Sequence, residues 1–308
     1  MTLLDSSFLP TVPLGDWFAS VVDWINDNLG PVLDFIQWLL EPVLYDNIYG
    51  ALHWVPPLVM AVLLGLLGLL ARGWKFGLAT LVGMLLIQTF ATAPMWTRAM
   101  ETLSLVIVAS VFAMILAVPL GILAARNSLA SSVIRPAMDF MQTMPAFVYL
   151  IPTLFFFSIG VVPGIVSTIV FAMPPGVRLT ELGIRQVDKE MVEAGHAFGA
   201  PPRQILTRIQ IPLAMPTIMA GVNQVIMLSL SMVVIAGIVG AGGLGGEVLS
   251  GITRLDLGKG FEAGVSVVIL AIYLDRLTAA LGARSAHTPK KKARLMGRGG
   301  RRSSSLPA

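Results

Sequence analysis

The sequence predicts an all-α polytopic membrane protein with about seven transmembrane helices. Three observations carry that expectation. Of 308 residues, 56% are hydrophobic and only 12% are charged, too few charges to cover the surface of a soluble domain. Apolar runs recur at lengths near the roughly 20 residues that cross a bilayer core. Lys and Arg concentrate in alternate connections between those runs, as the positive-inside rule requires. With no cysteine in the chain, disulfides, thiolate catalysis and Cys-based metal sites are excluded.

In chain order, residues 1–53 read as an extracytoplasmic amphipathic segment rather than a cleavable signal, because a basic start and an uninterrupted apolar core are missing. Trp17, Val21, Trp24 and Ile25, then Val32, Phe35, Ile36 and Leu39, recur every three or four residues with Asp between them. That spacing predicts two amphipathic helices broken at Gly30-Pro31, lying either on the lipid surface or on the protein's own outer face. Two leading spans follow within residues 54–99, Val55–Ala71 and Phe76–Ala93. The region 100–282 supplies five more, Thr102–Ala125, Phe140–Ile159, Val161–Val177, Leu213–Val239 and Ala263–Leu281. Pro145, Pro152 and Pro163 predict kinks or breaks in the fourth and fifth.

Arg72 and Lys75 mark the first connection, Arg126 and Arg135 the third, and Arg178, Arg185, Lys189, Arg203 and Arg208 the fifth. The opposite connections hold only Arg98, Arg254 and Lys259, so the N-terminus is expected outside and the C-terminus in the cytoplasm. Residues 283–308 read as a basic, disordered cytoplasmic tail against anionic lipid rather than a nucleic-acid arm, since seven of the basic residues crowd Lys290 to Arg302.

The polar insert between the fifth and sixth spans is the segment expected to carry function. "VDKEMVEAGHAF" is helix-forming, Gly199 suits a helix C-terminus, and Ala200-Pro201-Pro202 restarts a helix that Pro212 is expected to break. A helix, tight turn and helix therefore form a cytoplasmic elbow over residues 181–212, with Glu193 expected to hydrogen-bond the corner. Ala194, Gly195, Ala197 and Gly199 are small enough to admit a partner closely.

Glu193-Ala194-Gly195, three residues, Gly199, nine residues and Ile209-Gln210-Ile211-Pro212 resemble the EAA loop of binding-protein-dependent ABC importer permeases. Gly at the third position and Ile before Pro212 are the departures from that pattern. "MQTMPAFVYLIPTLFFFSIGVVPG" and "NQVIMLSLSMVVIAGIVGAGGLGGEVLSGI" are similar to the osmoprotectant subgroup, importers of glycine betaine, choline and related solutes. The resemblance implies a type I importer permease (MetI-like) core and a coupling role for Glu193, Ala194, Gly195, Gly199, Ile209, Ile211 and Pro212. It also implies two copies of an ABC ATPase that bind ATP-Mg, an extracytoplasmic solute-binding protein, a permease homodimer, and the bacterial inner membrane. No cofactor and no catalytic residue are expected in this chain, which lacks any phosphate-binding G-x-x-x-x-G-K-[ST] motif.

Met144, Pro145 and Phe147 stand beside the expected helix break as gate candidates. Asn223, Gln224 and Met227 are candidates for the pathway, with interhelical hydrogen bonding the competing reading of the two amides. Gly240 to Gly245 matches a dinucleotide-binding pattern only formally, because a span rather than a short strand precedes it; a flexible or closely packed turn is expected instead. His53, His196 and His287 lack metal-ligand spacing. An ion-coupled secondary transporter or channel is the alternative function, disfavoured because the sixth span carries no charge.

Overall fold

The computed structural model describes residues 13–91 and 94–285. Within them the chain forms α1 (Leu14–Trp38), α2 (Asp46–Trp54), α3 (Pro57–Arg72), α4 (Trp74–Thr89), α5 (Met95–Arg126), α6 (Ser128–Thr143), α7 (Ala146–Phe157), α8 (Val161–Arg185), α9 (Lys189–Ala197), α10 (Pro202–Ile205), α11 (Ile211–Ala236), α12 (Gly243–Thr253) and α13 (Leu257–Ser285). The basic tail expected over residues 283–308 starts instead within α13, which runs to Ser285; its remainder from Ala286 onward, and Thr92 and Ala93 of the second expected span, lie outside the described residues.

Among the described residues, four helical stretches are long and apolar enough to cross a membrane: Met95–Arg126, Val161–Arg185, Pro202–Ala241 and Leu257–Ala283. Counting two sharply bent pairs as single spans gives up to six, and α4 is a shorter apolar helix. α3 and α4 have 16 residues each, about 24 Å of helix, and turn back on one another at Gly73, whose φ of 99° suits glycine.

α5, α8 and α11 make the central trio. Where α5 crosses α8, a Cβ on Gly121 would lie 2.6 Å from the Thr180 Cβ, and one on Gly176 would lie 2.9 Å from the Ala117 Cβ. Small residues at such crossings let helix backbones approach in lipid, where dispersion contacts replace the hydrophobic drive. Met100, Leu105, Ile165 and Leu270 are fully buried in the main apolar cluster, nearer the other end of α5.

Several prolines behave otherwise than their sequence positions suggest. Gly30-Pro31 does not break α1; Pro31 is exposed, so the Asp27 carbonyl it leaves without an N–H partner faces solvent. The N-terminal helical segment instead turns by 104° before Pro57. One of its faces packs on the protein through Val22, Leu40 and Tyr45, whereas Trp17, Trp24, Phe35 and Trp38 stay exposed. The expected fourth span Phe140–Ile159 is two helices, α6 and α7, bent by 99° at Met144-Pro145. Pro152 lies within α7, and Pro163 falls in the first turn of α8, where its missing N–H costs no bond.

Pro212 does not interrupt the helix either. A widened turn over Leu206–Gln210 brings the Ile211 N–H to the Leu206 carbonyl, five residues back, so the helix continues past the proline ring.

Candidate functional site: the elbow and its anchoring

The elbow stands at the end of the molecule formed by the C-termini of α5 and α8. α9 ends in a Schellman motif: the Gly199 N–H donates to the His196 carbonyl and the Ala200 N–H to the Gly195 carbonyl. Gly199 itself has φ 74°, a left-handed position that other residues adopt only at a cost of roughly 1–2 kcal/mol. Pro202 then occupies the first turn of α10.

The small residues of the elbow serve two different ends. Gly195 is buried, and a Cβ there would meet the Ile209 Cδ1 at 2.8 Å and the Ile205 Cγ1 at 3.4 Å. Its size therefore accommodates the returning arm of the same elbow, not a partner. Met191, Ala194 and Phe198 share the outward face of α9, with Phe198 91% exposed. Glu193 is exposed, and among the described residues no side-chain or backbone bond holds its carboxylate; backbone hydrogen bonds close the corner instead of the expected carboxylate contact. It borders a cleft of about 360 Å³ together with Arg126, Arg185, Lys189, His196 and Gln210. Ile209 and Ile211 are half-buried and Pro212 is exposed.

A buried carboxylate anchors α8 just before the elbow. Glu181, 2% exposed, accepts from Ser131 Oγ at 2.8 Å and from Arg135 Nη2 at 2.8 Å, while Arg135 Nε reaches its other oxygen at 3.1 Å. Arg185 Nε stands 2.8 Å from the same carboxylate, and Arg185 Nη2 donates to the Ala124 carbonyl near the end of α5. A little farther along, Arg178 pairs with Asp139. Ser131, Arg135 and Asp139 recur every four residues, a periodicity present in the sequence but masked there because that stretch reads as a basic connection.

Of the gate and pathway candidates, Met144 is half-buried against the cluster containing Tyr149 and Met232, whereas Pro145 and Phe147 are exposed at the bend. The Tyr149 hydroxyl donates to the Met141 carbonyl, an otherwise unpaired group at the end of α6, and so ties α7 to α6 across the break. Asn223 donates to Asp275 at 3.1 Å and accepts from Thr278, both on α13. Gln224 is exposed and Met227 half-buried.

At the opposite end of α5, Glu247 on α12 meets Arg98 Nε at 2.9 Å and Lys259 Nζ at 2.6 Å. Burial would raise the Glu247 pKa, but its hydrogen bond to Lys259 and the charges of Lys259 and Arg98 hold it below the usual carboxylate range. Glu101 and Thr102 accept from the Gly243 and Leu244 N–H groups, each at 2.8 Å, capping α12. The glycine run before α12 is thus a closely packed turn, with Gly240 at φ 101° and Gly242 at φ 82°.

Membrane-length helices around a broken pair, with a closed polar elbow at one end, define a polytopic membrane protein of the permease class. Residues 117–287 match the family model for the binding-protein-dependent transport system inner membrane component, and the chain belongs to that family. It is 46% identical over 280 residues to the glycine betaine/proline betaine transport system permease protein ProW of Escherichia coli (strain K12), covering 91% of this chain and 78% of that one. Its identity to the glycine betaine/carnitine transport permease protein GbuB of Listeria monocytogenes serotype 1/2a (strain 10403S) is 44% over 291 residues, with coverage of 90% and 98%. A chain of the MetNI methionine ABC transporter, solved in inward-facing conformations, superposes with a TM-score of 0.54 at 22% identity, over 60% of this chain and 93% of that one. The type I importer permease fold expected from the sequence is the fold observed, and the ABC importer permease reading holds over the ion-coupled alternative.

Proposed function

We infer that this chain is the non-catalytic, membrane-spanning subunit of an ATP-driven importer for glycine betaine or a related quaternary-amine solute. One observation carries the coupling part of this reading. The elbow is closed by its own backbone bonds, yet it leaves Met191, Ala194 and the 91% exposed Phe198 uncovered on one face of α9. A rigid, partly apolar projection beside a polar cleft suits docking to another protein. The partner ATPase, in two copies carrying ATP-Mg, is that protein. Glu193, Ala194 and Gly199 shape the docking surface, while Gly195, Ile209, Ile211 and Pro212 brace it from behind.

The elbow end is cytoplasmic and the Glu247 end faces outward, as the bias of basic residues toward the elbow side supports. The C-terminus accordingly lies inside and the N-terminus outside. Two copies of the chain enclose one route, which switches its open side as the ATPases close. Met144, Pro145, Phe147, Gln224 and Met227 are assigned to that route. Asn223 borders it through its bonds to Asp275 and Thr278. A solute-binding protein delivers cargo at the Glu247 end. The solute class rests on the similarity to the glycine betaine permeases ProW and GbuB.

The test is uptake of labelled glycine betaine by vesicles holding this chain, its ATPase and its binding protein. Glu193→Lys and Gly199→Leu should insert normally and hydrolyse ATP while losing most uptake. Normal uptake by both variants would reject the docking assignment, and accumulation driven by a sodium or proton gradient without ATP would reject the importer reading.

A further inference from the structure

The contacts between α6 and α8 form a charge ladder with a single allowed register. The two helices run antiparallel, Arg135 facing Glu181 and Asp139 facing Arg178. A slip of one turn, about 5.4 Å, brings like charges together in either direction. One slip sets Arg135 beside Arg185 and Asp139 beside Glu181; the other sets Arg135 beside Arg178. Glu181 tightens the fit, since its buried carboxylate already takes Ser131, Arg135 and Arg185 and would be left uncompensated by a slip.

We propose that this ladder is the transmission element that carries displacement of the elbow to the helix break at Met144-Pro145. It rests on the reading of the elbow as the ATPase contact. α8 ends at Arg185 and the elbow helix begins at Lys189, so a push on α9 reaches α8 through three residues. α6 follows α8 because the ladder forbids sliding. At the far end of α6 the Tyr149 hydroxyl holds the Met141 carbonyl, so α7 turns with α6. Arg185 also grips the Ala124 carbonyl, which makes the end of α5 part of the same body. Arg135, Asp139, Arg178 and Glu181 act here as positioning residues.

Asp139 and Arg178 are the sites to perturb first, because their side chains are 64% and 40% exposed and tolerate charge reversal better than buried Glu181. The complete complex with its ATPase and binding protein is reconstituted in vesicles, and labelled glycine betaine taken up per ATP hydrolysed is measured. Asp139→Arg and Arg178→Asp should each lower that ratio by about threefold to tenfold, the range expected when an exposed attraction becomes a repulsion. The double reversal should return it to within about twofold of the parent. Because this chain has no cysteine, Met144→Cys gives it one thiol for maleimide labelling. The reactivity of that thiol should respond to ATP–vanadate trapping in the parent and the double reversal, and not in either single variant.

An unchanged ratio in both single variants, or a double reversal as impaired as the singles, would overturn the proposal. So would the pattern of a merely structural role, in which the amount and thermal stability of the complex fall while uptake per ATP and the nucleotide response of the introduced thiol stay intact. Glu181→Gln gives an independent check, with the same loss of ratio expected. Normal uptake by Glu193→Lys and Gly199→Leu, by contrast, would remove the elbow reading whatever the ladder variants do.

Discussion

Replacing Glu247 by Gln tests the clamp at the end opposite the elbow. The carboxylate is shared by Arg98 and Lys259, and its side chain is 11% exposed. With Glu101 the cluster holds two positive and two negative groups, so the amide leaves one cation uncompensated. Charge-assisted hydrogen bonds contribute about 1.5–3 kcal/mol each and neutral ones about 1, so weakening two of them costs about 1–4 kcal/mol. Partial exposure of Arg98 favours the lower end of that range. For a chain of this size the loss corresponds to about 2–5 °C in unfolding midpoint. The assay is thermal unfolding of the detergent-purified protein and the variant between pH 3 and pH 7. Because the folded Glu247 pKa is depressed, its contribution is fully present above the unfolded value near 4.3 and fades as pH falls through the folded pKa. The gap between parent and variant should therefore be flat from pH 7 to about pH 5 and close toward pH 3. A gap that persists unchanged at pH 3, or no gap at pH 7, would refute the assignment of Glu247 as the ionised centre of the clamp.

Two further substitutions probe the elbow's packing and the α11–α13 contact. Gly195→Ala should be tolerated, because the atom in its way is the mobile tip of Ile209, whereas Gly195→Leu should open the elbow and depress uptake per ATP in the vesicle assay. Asn223→Leu should lower the unfolding midpoint by the equivalent of about 1 kcal/mol, since it removes two side-chain bonds between α11 and α13 while the Thr278 hydroxyl keeps the Leu274 carbonyl and Asp275 keeps Arg276. An unchanged midpoint would show that these bonds do not hold α11 to α13.

The sequence discloses the long spans because hydropathy reports directly on the cost of backbone and charge in lipid. The elbow is equally legible: Gly199 and Pro202 act through local backbone chemistry, and each lies where that chemistry demands. Pro31 and Pro212 are not legible in the same way. Their effect depends on whether the freed carbonyl finds water or the hydrogen-bond register widens, and both conditions are set by surroundings. α6 was hidden for a related reason. Arg126 and Arg135 look like a basic connection until Glu181, 46 residues beyond Arg135, supplies the partner that turns a polar stripe into a helix–helix contact. The small Gly195 likewise suggests room for a visitor, and only the fold reveals that Ile209 already fills it.

The distribution of close packing and joints bears on how such a subunit can change shape. α5, α8 and α11 meet through Gly121, Gly176 and Gly221, where even a methyl group is crowded, so sliding one helix past another there would cost core packing along its length. A buried carboxylate is paired within the chain at each end, Glu181 on one side and Glu247 on the other, which binds the helix ends to that same trio. Left-handed glycine positions and the α6–α7 bend occur outside it: Gly199 at the elbow, Met144-Pro145 between α6 and α7, and Gly240 to Gly243 ahead of α12. Rotation about these few points deforms little packed surface, whereas rearrangement of the trio deforms much. The switch of access proposed above is therefore best accommodated as motion of near-rigid bodies about those joints, and the proposed role of the charge ladder places α6 in the body that moves with α8.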